Sequence, residues 1–149
     1  MHKILFVCLG NICRSPMAEF IMKDLVSTQH REQEFLIASR ATSTEELGNP
    51  VYPPARRKLA EHHISCDGKT ARQITLSDFS DYDLIIGMDT HNIATLRRYC
   101  PEMHQHKIHL LMEYAGSSRS VADPWYTGDF EATWNDVLEG CQALLKQLQ

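Results

Sequence analysis

The chain has 149 residues, of which 43% are hydrophobic and 23% charged, and a formal net charge of −4. This length allows one domain with its own core, and the composition is that of a soluble globular protein. The negative charge argues against a nucleic-acid-binding protein, which needs a clustered basic surface, and no stretch approaches the ~20 apolar residues of a membrane span. We therefore expect a single domain over residues 1–149, with no nucleic-acid partner and no membrane segment.

The cysteines and histidines exclude two further classes of protein. Five cysteines without a repeating spacing are not typical of a disulfide framework, and they favour a reducing, cytoplasmic location. The histidines at 104, 106 and 109 have no carboxylate or thiol at ligand spacing. We therefore expect no metal site and no cofactor.

The first half of the chain alternates strands with helices. The continuous apolar run Ile4–Val7 predicts a strand buried on both faces. A helix is predicted over Met17–Thr28, a second strand over Phe35–Ser39 and a second helix over Pro54–His62, with a Gly- and Pro-rich loop at Thr42–Pro54.

The second half repeats the alternation. In chain order, its predicted elements are a helical turn at Leu76–Phe79, a strand at Tyr82–Met88, a helix at Thr90–Tyr99 capped by Asp89, a strand at Lys107–Leu111, a loop at Tyr114–Gly128, and an amphipathic helix from Phe130 to Leu148. Such a pattern predicts an α/β fold in which a four-stranded parallel sheet carries helices on both faces, with ligands bound beyond the carboxyl ends of the strands.

The stretch Cys8–Ser15 (Cys-Leu-Gly-Asn-Ile-Cys-Arg-Ser) occupies such an end. It lies between the first strand and Pro16, a residue favoured at a helix start, so its backbone N–H groups and the helix dipole favour an anion such as phosphate. A thiol beside a cation at a helix N-terminus has a pKa of about 3.5–7.5 and is a nucleophilic thiolate. Cys8 and Arg14 supply that pair, and a guanidinium matches two phosphoryl oxygens.

Other residues of this loop have shapes or groups that suit a phosphate site. Gly10 allows close backbone approach, Asn11 tolerates the left-handed conformation, and Ser15 is placed to hydrogen-bond the Cys8 sulfur. A proton donor speeds the departure of an alkoxide or phenolate by about 10²–10⁴-fold. Asp123, stiffened by Pro124, is the best candidate for that donor.

In these motifs the chain resembles the low-molecular-weight protein tyrosine phosphatases. The phosphate loop and following helix match over Val7–Glu19, and shorter motifs match in order along nearly the whole chain: Gly48-Asn49-Pro50, Ala71-Arg72-Gln73-Ile74, the Asp83–Asn92 strand with Met88-Asp89, and Asp123-Pro124. The resemblance implies that Cys8 forms a phosphocysteine, that Arg14 clamps the phosphoryl oxygens, and that Asp123 acts first as acid and then as base.

The resemblance also implies a set of supporting residues. The residues that bind phosphate and shape the loop are Leu9, Gly10, Asn11, Ile12, Cys13, Ser15 and Ser39; those that form the wall of the substrate pocket are Glu45, Trp125 and Tyr126. The implied substrate is a phosphotyrosine-containing protein, formed by a cognate tyrosine kinase. The implied oligomeric state is a monomer or weak dimer.

Four positions depart from the family pattern, one of which is Trp125, where a frequent Tyr is replaced and the aromatic wall is kept. Lys69 stands where family members often carry a His joined to the polar network of the loop, so we expect a rewired network. Arg40 replaces a small residue, and Glu45 replaces a frequent aromatic at the pocket mouth. Two interpretations of Cys13 stay open: a reversible disulfide with Cys8, as in the family, or a small residue packed under the loop.

Two other functions use the same fold. An arsenate reductase would need two further redox cysteines after the third strand, and residues 81–99 contain none. A non-catalytic phospho-ligand binder would be expected to lose Cys8, Arg14 or Asp123. Ile12 favours phosphotyrosine over phosphoarginine, because related arginine phosphatases usually carry Thr at this position.

Overall fold

The computed structural model describes residues 1–149 and contains one sheet of four parallel strands. The strands are β1 (His2–Cys8), β2 (Phe35–Ala41), β3 (Leu84–Gly87) and β4 (Ile108–Leu110), in the spatial order β2-β1-β3-β4. All four predicted strands are confirmed, and so is the parallel arrangement. Because β1 is an inner strand, its carboxyl end opens at the middle of the sheet edge, which is where Cys8 lies.

The apolar run in β1 is buried on both faces, as its sequence predicts. Ile4 and Phe6 belong to the larger core cluster, together with residues of the first and last helices, whereas Leu5 and Val7 belong to a second cluster with Phe79. All four strand residues have no exposed surface. The alternation of side chains along a strand therefore divides β1 between two cores, one on each face of the sheet.

The chain forms six α-helices: α1 (Arg14–Thr28), α2 (Pro53–Glu61), α3 (Leu76–Asp81), α4 (Thr90–Tyr99), α5 (Pro124–Thr127) and α6 (Phe130–Gln147). Short 3-10 turns occupy Glu32–Glu34, Glu102–Lys107 and Leu111–Ala115. Residues of α1, α2 and α6 share the larger core, and residues of α3 and α4 share the smaller one. None of these helices combines the length and the apolar character that crossing a membrane requires.

Two predicted boundaries are wrong in ways that affect the site. Helix α1 begins at Arg14, not at Met17, so Arg14 and Ser15 belong to its first turn. Pro16 is tolerated there because the backbone N–H groups of a helix's first turn have no intrahelical acceptor. Proline has no backbone N–H, so it loses no hydrogen bond at this position. The predicted loop at Tyr114–Gly128 contains helix α5, which starts where the Asp123 carboxylate caps it and ends at left-handed Gly128.

Gly140 on α6 allows this helix to approach the Leu111–Ala115 turn. A Cβ atom at position 140 would lie 2.6 Å from Leu111 Cγ, and Leu111 is fully buried. Forcing side chains into a packed core costs about 1–3 kcal/mol, whereas replacing a helical glycine gains at most about 1 kcal/mol. The steric cost therefore outweighs the gain in helix propensity.

We expect Gly140→Val to lower the free energy of unfolding by about 1–2 kcal/mol, measured by urea denaturation. Gln142→Val, at an exposed position of the same helix, is the matched control and should change stability by no more than about 0.5 kcal/mol. Equal stability of the two variants would show that the contact with Leu111 does not constrain the core.

Candidate functional site

The loop between β1 and α1 presents unpaired backbone donors at the carboxyl end of the central strand. On either side of Asn11, six backbone N–H groups have no acceptor within the protein: those of Leu9, Gly10, Ile12, Cys13, Arg14 and Ser15. Because Arg14 and Ser15 form the first turn of α1, the positive end of the helix dipole points at the same place. The loop is therefore built to surround an anion.

Two groups form hydrogen bonds with the sulfur of Cys8 inside this loop. The Ser15 hydroxyl lies 2.9 Å from Cys8 Sγ, which is the hydrogen bond that the sequence predicts. The backbone N–H of Asn11 donates to the same sulfur at 3.3 Å. Asn11 has a φ of 60°, so the predicted left-handed conformation is confirmed, and this conformation turns its N–H inward.

A buried side-chain network holds Asn11 in that conformation. Its amide nitrogen donates to Ser15 Oγ at 2.8 Å and to Ser39 Oγ at 2.9 Å, and its amide oxygen accepts the N–H of Arg72 at 3.1 Å. Ser15 and Ser39 have no exposed surface, and Asn11 is 1% exposed. The side chains of these three residues point away from the pocket and support the loop from behind, and none of the three residues lines the pocket.

Arg14 is held by partners from the second half of the chain. Its Nη1 donates to Asp89 Oδ2 and to the Val121 carbonyl, both at 2.8 Å, and its Nη2 lies 3.5 Å from Asp123 Oδ2. The guanidinium is almost fully buried, so it needs these partners to offset the loss of hydration. These contacts hold Arg14 in the wall of the pocket that Cys8 also lines.

Asp89 performs a second role that the sequence analysis missed. It caps α4 as predicted, because its Oδ1 accepts the N–H of Asn92 at 2.7 Å. Its other oxygen binds Arg14. The only sequence signal for this second role was the position of Asp89 directly after a buried strand, at the same edge of the sheet as Cys8.

An open pocket of about 130 Å³ lies above the loop. Its lining includes ten of the residues predicted for the site: Cys8, Leu9, Gly10, Ile12, Cys13, Arg14, Glu45, Asp123, Trp125 and Tyr126. Asp123 accepts the N–H of Trp125 with its Oδ1 at 3.0 Å, so the cap of α5 also fixes the carboxylate at the pocket. The segment Asp123–Tyr126 therefore forms one wall.

Two further residues shape the pocket mouth and were missed. Glu46 lines it beside Glu45, with its Oε2 accepting from the Asn49 amide at 2.6 Å. Tyr52 packs behind the wall, with its ring 4.8 Å from that of Trp125. The signals for both residues in the sequence are weak, namely the adjacent pair of glutamates and an aromatic residue within a Pro-rich loop.

The five cysteines differ in their surroundings, although all are free thiols. Burial, followed by the neighbouring Cys8, raises the pKa of Cys13 to about 12. Burial likewise raises the pKa of Cys66, Cys100 and Cys141. The disulfide between Cys8 and Cys13 stays a prediction. No group of three or more His, Cys, Asp or Glu side chains is arranged to hold a metal ion.

Residues 3–149 match the sequence profile of the low molecular weight phosphotyrosine protein phosphatase family. The chain is 40% identical to the low molecular weight protein-tyrosine-phosphatase YfkJ of Bacillus subtilis, over all of this chain and 97% of that protein. The chain belongs to this family. Members of the low molecular weight phosphotyrosine protein phosphatase family are hydrolases, and the predicted resemblance is confirmed.

Solved structures of the family share the same architecture. The crystal structure of YfkJ covers the whole chain with a TM-score of 0.95. The low molecular weight protein tyrosine phosphatase of Streptococcus pyogenes is 46% identical over the whole chain and 94% of its own, with a TM-score of 0.90. An arginine phosphatase of Drosophila, 31% identical over 99% of this chain and 98% of its own, reaches a TM-score of 0.91, so the fold alone does not separate the two substrate classes.

The surroundings of the cysteines predict which of them reacts. At pH 6 we expect iodoacetate to modify Cys8 first, because the Asn11 N–H donates to its sulfur beside the start of α1, whereas the high pKa of Cys13 keeps that thiol protonated. Peptide mapping by mass spectrometry measures the site of modification. Inorganic phosphate should slow the reaction by occupying the loop. Equal labelling of Cys13 would contradict the assignment.

Proposed function

We propose that this phosphatase hydrolyses phosphotyrosine in proteins through a phosphocysteine on Cys8. The observation that carries the proposal is the Cys8 sulfur, held by Ser15 and Asn11 beneath a ring of unpaired N–H groups and beside Arg14. A nucleophile and a set of donors thus converge on one anion. This arrangement suits phosphoryl transfer, in which charge on the phosphoryl oxygens must be stabilised.

In the first step, the Cys8 thiolate attacks phosphorus, so that an S–P bond forms while the P–O bond to the tyrosine ring breaks. The leaving phenolate oxygen takes a proton from Asp123, whose carboxyl group lines the pocket opposite the loop. Arg14 and the N–H groups of the loop bind the phosphoryl oxygens. The products of this step are the free tyrosine side chain and phosphocysteine.

In the second step, water replaces tyrosine in the pocket. The Asp123 carboxylate accepts a proton from this water as its oxygen attacks phosphorus, and the S–P bond breaks to release inorganic phosphate and the Cys8 thiolate. The Ser15 hydroxyl, 2.9 Å from the sulfur, stabilises the departing thiolate. Asp123 is thus protonated again, so the cycle closes without a cofactor.

The shape of the pocket supports an aromatic substrate. Trp125 and Tyr126 are more than half exposed and form a wall beside Asp123, against which a tyrosine ring can pack. Ile12 lines the pocket as an apolar side chain, which supports phosphotyrosine over phosphoarginine. A cognate tyrosine kinase would form the substrate.

We further infer that residues 1–149 act as one domain and as a monomer or weak dimer. A cytoplasmic location is supported by the five unbonded cysteines, since a reducing compartment keeps thiols free. Analytical ultracentrifugation tests the oligomeric state.

Replacing Asp123 separates proton donation from nucleophilic attack. Asp123→Asn should lower kcat on a phosphotyrosine peptide by about 10²–10⁴-fold, and lower it far less on an aryl phosphate whose leaving group is already good. Cys8→Ser should abolish turnover of both substrates. Parallel assays with phosphoserine and phosphoarginine peptides measure the preference. Undiminished turnover by Cys8→Ser, a preference for phosphoarginine, or thiol-coupled reduction of arsenate would each contradict the proposal.

The pocket mouth carries two glutamates, of which Glu45 is exposed and Glu46 is half-buried. We expect phosphotyrosine peptides with neighbouring Lys or Arg to have a lower KM than peptides with neighbouring Glu. Glu45→Lys should change this preference by about 2–5-fold, the size expected for an exposed charge pair, and salt should weaken it. Glu102→Lys, an equal charge change at an exposed position outside the pocket, is the control and should retain the original preference.

A further inference from the structure

Three aromatic side chains form a cluster at the wall of the pocket that carries Asp123. The Tyr52 ring lies 4.8 Å from the Trp125 ring, at an angle of 54° to it, and 6.2 Å from the Phe130 ring. Aromatic rings at such distances attract each other. Of the three residues only Trp125 lines the pocket. Tyr52 therefore supports the wall from behind, where it does not contact a bound substrate.

Tyr52 is attached to the phosphate loop by its backbone and by its ring. Its N–H donates to the Ile12 carbonyl at 2.9 Å, and its ring packs against the small cluster of Ile12, Cys13 and Ala71. Tyr52 has a φ of −56° and a ψ of 133°, the extended conformation to which a residue before proline is restricted, and Pro53 follows it. The ring is thus held in place relative to the loop that carries Cys8.

The segment that carries Asp123 has little stability of its own. Helix α5 contains only four residues, and a single helical turn is not stable by itself in water. Val121 and Pro124 are buried and anchor the start of this segment. From Trp125 to Asp129 every residue is exposed. The packing of Trp125 on the Tyr52 ring therefore stabilises α5 just beyond its anchored start.

Trp125 in turn controls the orientation of the Asp123 carboxylate. The Trp125 N–H donates to Asp123 Oδ1 at 3.0 Å. The other carboxylate oxygen, Oδ2, lies 3.5 Å from Arg14 Nη2 at the pocket. A proton donor must lie within hydrogen-bond reach of the leaving oxygen, and a displacement of about 1 Å can lower the rate by about 10²-fold. A rotation of α5 that moves the Trp125 N–H would therefore slow proton donation.

We propose that Tyr52 is a positioning residue for the general acid: its ring holds Trp125 and so keeps the Asp123 carboxylate within reach of the leaving oxygen above Cys8. The inference rests on the proposed function, in which Asp123 donates that proton. It adds a residue that contacts neither the substrate nor the phosphate loop's anion. Tyr52 thus links the element that holds the nucleophile to the element that holds the acid.

The test compares Tyr52→Ala with Tyr114→Ala. Tyr114 is a matched control, because it is also half-buried and packs against the larger core, whereas its aromatic neighbour is His109 and it does not line the pocket. The specificity constant kcat/KM is measured on a series of aryl phosphates whose leaving groups range from an acidic phenol to the tyrosine of a phosphopeptide. This constant includes the step in which the P–O bond breaks.

Only a poor leaving group needs the proton. In Tyr52→Ala we expect kcat/KM to fall about tenfold on the phosphotyrosine peptide and less than about twofold on the phosphate of the acidic phenol. Tyr114→Ala should retain the leaving-group dependence of the unmodified protein, and Tyr52→Phe, which keeps the ring, should also retain it. An unchanged dependence in Tyr52→Ala, or an equal change in Tyr114→Ala, would overturn the role of Tyr52.

Inhibition by inorganic phosphate distinguishes a displaced acid from a distorted phosphate loop. Tyr52→Ala keeps the backbone N–H that donates to Ile12, so the inhibition constant of phosphate should stay the same. Weaker phosphate inhibition together with an equal loss of kcat/KM on all substrates would show a damaged loop and would also overturn the role. Either result leaves the proposed function intact, which fails instead if Cys8→Ser retains turnover.

A double-mutant cycle tests whether Tyr52 acts through Trp125. The double variant of Tyr52→Ala and Trp125→Ala should depend on the leaving group no more than Trp125→Ala alone, because residues in one pathway have non-additive effects. Additive losses would contradict the pathway. If circular dichroism shows that Tyr52→Ala does not fold, Tyr52→Gln replaces it, since a polar side chain without a ring is tolerated at a half-buried position. An unchanged leaving-group dependence in folded Tyr52→Gln would refute the proposal.

Discussion

The left-handed backbone of Asn11 is the constraint on which the site depends. At a φ of 60°, its N–H turns toward the Cys8 sulfur while its neighbours keep their own N–H groups unpaired. Unpaired buried donors are costly unless a ligand or solvent satisfies them. The site therefore needs a rigid support, and the contacts of the Asn11 amide with Ser15, Ser39 and the Arg72 backbone provide it.

Charge is distributed around this loop in two separate groups. On the pocket side, Arg14 is balanced by Asp89 and Asp123. Behind the loop, Glu19 is balanced by Lys69 and Lys23. Each buried charge has partners of the opposite sign, because an unpaired ion in the interior would be strongly destabilising. The first group holds Arg14 at the pocket, whereas the second group lies behind the loop, away from the pocket.

Most of the fold could be predicted because its signals are local. The apolar run at Ile4–Val7 and the 3.6-residue period of the last helix depend on side chains that are near each other in sequence. The sequence predicts too late a start for α1, because proline is favoured at the first helical position. Any position of the first turn accepts proline, and α1 in fact begins two residues before Pro16, at Arg14. The sequence does not predict helix α5, because four residues are too few to show a helical period. The residue that caps it, Asp123, is predicted only as a proton donor.

The sequence by itself determined that a thiol and, six residues later, a guanidinium follow the first strand, and it determined the parallel α/β architecture, because all three follow from residue type and short spacing. Only the tertiary structure decided which partners those groups have. Arg14 donates hydrogen bonds to Asp89 and Val121, and Lys69 forms an ion pair with Glu19. The partners in each pair are far apart in the sequence, so no periodic pattern predicts them. The physical reason is that a parallel sheet brings the carboxyl ends of strands distant in sequence to one edge, where burial then requires their charges to pair.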